Sequence, residues 1–218
     1  MNIELKKIHH SVQLSRETEA FTADLYIKNI HAGYAENAGH GGPTDYHHKD
    51  EKGRELIKEA EVYCKALPPL QYPADKYMEA FSIDMNLEHF IDDLLNKHVE
   101  KKEHAKFNAK MNKAMERGIV YGIAGDSFTT LSFSVPFAKV LAHSNVTTII
   151  RDAIVNKILP DLKDGNIILS TNIPENILKE AGLKQDQYVK PSVQDVGQSN
   201  IKAAEDNNLQ NIANGRSR

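Results

Sequence analysis

The residues best suited to chemistry are concentrated in "NAGHGGPTDYHHKD", positions 37–50, which sets His40, Asp45, His47 and His48 beside three glycines. Imidazole and carboxylate groups that converge on one point ligate metal ions. In an extended segment side chains alternate, so Asp45 and His47 would share a face while His48 points away. His40, reached across the glycines, would complete a set of His40, Asp45 and His47 with an open position for activating water, and His9 or His10 on a neighbouring strand could add a ligand. This reading is a metal-dependent hydrolase, although the spacing matches no zinc signature. The same stretch supports a second reading, an anion or nucleotide cradle. In it the backbone N–H groups of His40, Gly41, Gly42 and Thr44 would face a phosphate near a helix N-terminus. A third reading is architectural: the glycines supply positive φ in a connection and the histidines face solvent.

A different chemistry belongs to the stretch from Asn96 to Arg117. Lys102, Lys106, Lys110, Lys113 and Arg117 recur every three or four residues, which would make one helical face basic. Such a face suits a phosphate backbone. It also suits a solvated helix surface, and the stretch has little of the aromatic interleaving that single-strand stacking uses. The sequence has no G-x-S-x-G elbow, H-E-x-x-H pair or kinase motif set. Cys64 falls on the apolar stripe of "RELIKEAEVYCKAL", as a small core residue would. Asp84, Glu88, Asp92 and Asp93 cluster where a long helix should begin, a placement that the helix dipole favours.

These groups need elements to hold them. "EAFTADLYIKN" alternates, with Phe21, Ala23, Leu25 and Ile27 on one face, and Lys28-Asn29 suits a tight turn into "IHAGYAE". "NIELKKIHHSVQLS" reads as a first strand whose alternation breaks between Leu5 and Ile8, as at a bulge. "RELIKEAEVYCKAL" has helical spacing and stops at Pro68-Pro69. Residues 1–70 therefore predict a β-β-β-α unit, an antiparallel sheet with a helix packed on it. "PPLQYPADKY" predicts the domain junction. Residues 75–183 then predict a long helix and a second unit in the order α-β-β-α-β-α. The fold class expected is α+β. From 184 to 218 the apolar residues are sparse, predicting a flexible polar tail.

Composition narrows the function classes. A net charge of −3, with 27 basic and 30 acidic residues, argues against a wholesale polyanion binder while leaving room for a local basic patch. A single cysteine excludes an internal disulfide and fits a reducing compartment. The N-terminal segment lacks the apolar core of a signal peptide, and no stretch approaches the roughly 20 apolar residues of a membrane helix. A cytoplasmic protein that engages no membrane is expected.

"FTADLYIKNIHAGYAENAGHGGPTDY", followed by "LIKEAEVYCKALPP", resembles the opening of small uncharacterised proteins carried by bacteriophages and plasmids. "NIILSTNIP" is similar to a closing strand in the same group. The resemblance covers mainly residues 1–70 and brings no catalytic residues. It implies an accessory protein of a mobile element that works by binding something of the host. The leading expectation is thus a non-enzymatic accessory protein without a cofactor, whose partner is a host or viral protein or a nucleotide. The alternatives are a nucleic-acid-binding protein using residues 96–117, and the metal-dependent hydrolase of the His/Asp loop.

Overall fold

The computed structural model describes residues 1–192. The chain is α+β and divides into two compact units, Met1–Glu103 and His104–Arg218.

The first unit is built on a four-stranded antiparallel sheet in sequential order: β1 (Ile3–His10), β2 (Phe21–Ile27), β3 (Ile30–Asn37) and β4 (Asp45–His48). The predicted irregularity in β1 is a bulge between Lys6 and His9, with Lys7 at φ 49°. Lys28 and Asn29, at φ 53° and 65°, make the two-residue turn between β2 and β3. Positive φ at both central positions matches the right-handed twist of the flanking strands. The extended stretch "DYHH" is the fourth strand, paired with β3, so the sheet has one strand more than the β-β-β-α expectation.

Helix α1 (Glu51–Lys65) starts at Asp50, whose carboxylate accepts from the Gly53 N–H at 2.8 Å. It buries Leu56, Ile57, Ala60 and Cys64 against Ala23, Leu25, Ile27, Ala32 and Ala35 of the sheet. Gly53 allows close approach, since a Cβ there would lie 1.9 Å from the Ala32 carbonyl oxygen.

The proline-rich stretch is not a bare junction. It includes β5 (Leu70–Tyr72), which pairs with β6 (Phe81–Ile83) as a hairpin, with Tyr72 stacked on Phe81. The long helix α2 (Leu87–Met115) follows, its start marked by Asn86 Oδ1 accepting from the His89 N–H. Leu87, Ile91 and Leu95 are buried in the core of the first unit. For that reason the division falls within α2 at 103/104, not near residue 70 as the proline-rich composition predicted.

The second unit has a three-stranded antiparallel sheet in the order β8–β7–β9: β7 (Gly118–Ile123), β8 (Ser127–Ser132) and β9 (Ile167–Ile168). Its central strand is covered on both faces. Val120 packs with Phe107, Met111 and Met115 of α2. Ile119 packs on the opposite side with α3 (Phe137–Leu141), α4 (Val146–Ala153) and α5 (Glu175–Glu180). The amphipathic run of α4 continues through a π turn at Ile154–Ile158, which keeps Ile154 and Ile158 buried. The first residues of the predicted polar tail, up to Ser192, make contacts with the second unit. Tyr188 is buried and donates to Glu175 at 2.9 Å, and the Val189 and Ser192 N–H groups bond to Ile168 and Thr171. The rest of that predicted tail, from 193 onward, lies outside the described residues. No helix among the described residues is long and apolar enough to cross a membrane.

Candidate functional site

The glycine-histidine loop is tied together from within. Asn37 Oδ1 accepts from the Gly39 N–H, Thr18 Oγ1 from the Gly41 N–H, and Glu88 Oε1 from the Thr44 N–H. Thr44 is buried and donates through Oγ1 to Asp92 Oδ1 at 2.6 Å. Of the groups proposed as an anion cradle, the Gly41 and Thr44 N–H groups already have partners, and Thr44 is held by two carboxylates that would repel an anion. Gly39 and Gly41 take φ of 82° and 85°, as the architectural reading requires. Burial raises the Asp92 carboxyl above its ordinary range, and the neighbouring Glu88 charge adds to the rise. The α1 N-terminus, capped by Asp50, is likewise occupied from within the chain.

The proposed metal ligands are not gathered. His40 is exposed on the loop, while Asp45 and His47 lie on β4, opposite Glu36 and Tyr34 of β3. Among the described residues, no group of three His, Cys, Asp or Glu side chains is placed to hold a metal ion. Asp45 instead lines a cavity of about 430 Å³ with His9, Thr22 and Glu36 from the open sheet face and with Leu14, Ala20 and Phe21. Cross-strand register puts His9, Thr22, Glu36 and Asp45 in one row over four strands. Alternation in β2 indicated the row's face, but register could not be read without the pairing. Cys64 is fully buried, and desolvation pushes its thiol up, away from nucleophilic chemistry.

The basic residues do form a continuous feature. At about 100° per residue, Lys102, Lys106, Lys110, Lys113 and Arg117 fall within an arc of about 80° on α2 and its C-terminal extension. All five are exposed, and among the described residues no ion pair involves any of them. The apolar residues Phe107, Met111 and Met115 occupy a separate stripe that seats the helix on the second sheet. Phe107 and Phe128 meet edge to face at 5.4 Å, fixing the face of β8 that carries Phe128, Thr130 and Ser132 toward α2. Lys110, Lys113, Arg117, Thr130 and Ser132 then surround a cavity of about 330 Å³. The backbone at Arg117 is held on both sides: its N–H donates to Ala114, and its carbonyl accepts from Phe133 at 3.0 Å. Helical spacing identified the cations. The two hydroxyls were missed because nothing local in "FTTLSFS" tells which face of that strand meets the helix.

This concave, cationic, hydroxyl-lined surface is complementary to an anion. Comparisons with protein-family models, curated proteins and solved structures find no match.

Proposed function

We propose that this protein is a non-enzymatic nucleic-acid-binding protein that tracks a phosphate backbone along the basic face of α2. The carrying observation is the alignment of five exposed cations on one arc, without an ion-pair partner among the described residues. Successive cations are about 4.5–6 Å apart along the helix axis, so several phosphates can be neutralised together. Neutralisation releases counterions, which makes the affinity depend steeply on salt. The test is Lys106→Glu with Lys110→Glu, measured by fluorescence anisotropy over a salt series. The variant should bind far more weakly and lower the log–log salt slope by about 1.5. Unchanged affinity would remove this helix as the binding surface. The mobile-element setting implied by the sequence resemblance suits such a role.

A second reading, a protein partner, is favoured by a separate observation in the first unit. Val12 and Leu14 are 66% and 58% exposed, and Leu14 borders the 430 Å³ cavity that also carries Glu36 and Asp45. An apolar wall beside two carboxylates suits a partner's lysine or arginine, whose stem is apolar and whose head is charged. Leu14→Asp and Asp45→Lys should each weaken binding of a lysine- and arginine-bearing peptide in calorimetric titration. Equal heats for both variants and the unaltered protein would discard this reading.

A further inference from the structure

The five cations of α2 do not share one environment. Lys102 and Lys106 stand on exposed helix, whereas Lys110, Lys113 and Arg117 line the 330 Å³ cavity with Thr130 and Ser132. The register that pairs Gly118 with Ser132 and Val120 with Thr130 puts both hydroxyl residues on the face of β8 that Phe128 turns toward α2. The cavity thus offers two ammonium groups, a guanidinium fork and two hydroxyl donors from two elements that pack on each other.

An internal phosphodiester carries a single charge and two free oxygens. It is met adequately by one lysine, as on the outer part of the helix. A terminal phosphomonoester carries a charge of about −1.5 to −2 near neutral pH and three strong acceptor oxygens. Only that group uses three cations and two hydroxyls at one point, and Arg117 can grip two of its oxygens through parallel N–H donors. The carbonyls at the C-terminal end of α2 carry partial negative charge, which favours the three cations and opposes the bound anion, so the cations must outweigh that field for the site to hold phosphate.

We propose that the Lys110–Lys113–Arg117–Thr130–Ser132 cavity binds the phosphorylated end of a nucleic-acid strand, while the remainder of the basic face holds the backbone behind it. This rests on the reading of α2 as a nucleic-acid surface and adds a preference for strand ends.

The experiment is competition by unlabelled single-stranded oligonucleotides of one sequence, bearing a 5′-phosphate, a 3′-phosphate or two hydroxyl ends, against a labelled strand on the full chain. One of the phosphorylated forms should compete at least about tenfold better than the hydroxyl form, the scale of a single charge-assisted hydrogen bond. Thr130→Val with Ser132→Ala removes the hydroxyls and no charge, so it should lower that preference several-fold, through the two lost hydrogen bonds, without abolishing it, because Lys110, Lys113 and Arg117 remain. Equal competition by all three strands overturns the end preference and leaves the backbone reading standing. Loss of hydroxyl-ended binding in the Thr130/Ser132 variant also overturns it, since the cavity would then serve the whole strand. Inorganic phosphate competing as well as the phosphorylated strand would make this a small-anion site and overturn the strand-end assignment. Absence of any oligonucleotide binding removes both readings together.

Discussion

Glu36 and Asp45 stand directly opposite each other across the β3–β4 ladder, two carboxylates on the open face of the sheet. Like charges in that relationship cost stability, by up to about 1 kcal/mol, and among the described residues neither has an ion-pair partner. Asp45→Lys converts the repulsion into a cross-strand attraction. The variant should raise the urea midpoint with an unchanged slope, and the gain should shrink at high salt as screening takes over. A midpoint that falls would mean that Asp45 has a favourable partner of its own in the folded chain.

Thr44 and Asp92 provide a prediction with a pH sign. Asp92 is half-buried, and its carboxyl is raised above its ordinary value, burial being the main cause. A carboxyl whose folded value exceeds its unfolded value holds a proton more tightly when folded. Its stabilising contribution is complete below the unfolded value and is lost as pH rises through the folded one. Asp92→Asn keeps an acceptor for Thr44 Oγ1 and removes the charge. It should therefore be more stable than the unaltered protein at pH 7, by less than about 1 kcal/mol given the partial exposure. The difference should vanish in acid below the ordinary carboxylate range. Thr44→Val, which strips the donor from Asp92, should cost about 1–3 kcal/mol. Thermal melts from acid to neutral pH check both.

How far these features were legible depends on how local their causes are. The Lys28–Asn29 turn, the bulge after Lys6 and the apolar stripe of α1 arise from neighbouring residues and could be read directly. The basic arc of α2 has the same local origin. Thr44 looked like part of a glycine loop because its partners, Glu88 and Asp92, are more than forty positions away. Composition suggested a boundary at the prolines. Burial of Leu87, Ile91 and Leu95 in the first core moved it into the helix, a tertiary effect with no sign at residues 68–75. The proposed metal ligands are a similar case: alternation aligned Asp45 with His47, but nothing local could place His40 beside them, and among the described residues the three are not gathered.

Gly53 separates intrinsic propensity from packing. In an exposed helix interior, Gly→Ala stabilises by about 0.8–1.0 kcal/mol. Here the added Cβ would lie 1.9 Å from the Ala32 carbonyl oxygen, so α1 must lift from β3. Overpacking of this kind costs about 1–3 kcal/mol, enough to reverse the sign. Gly53→Ala should lower stability in urea denaturation. A more stable variant would show that α1 can shift outward freely.

Cys64 tests whether the core of the first unit is closed. The side chain is fully buried between α1 and the sheet, and desolvation raises the thiol. Since the thiolate is the reactive form, a disulfide reagent should modify native protein only through transient opening. The rate should therefore be slow, rise with urea, and become fast once the first unit unfolds. Cys64→Ser would place a hydroxyl in an apolar cluster and should cost about 1–3 kcal/mol, whereas Cys64→Ala loses only packing. Immediate modification of native protein at neutral pH would contradict the buried placement and return this residue to the list of groups able to do chemistry.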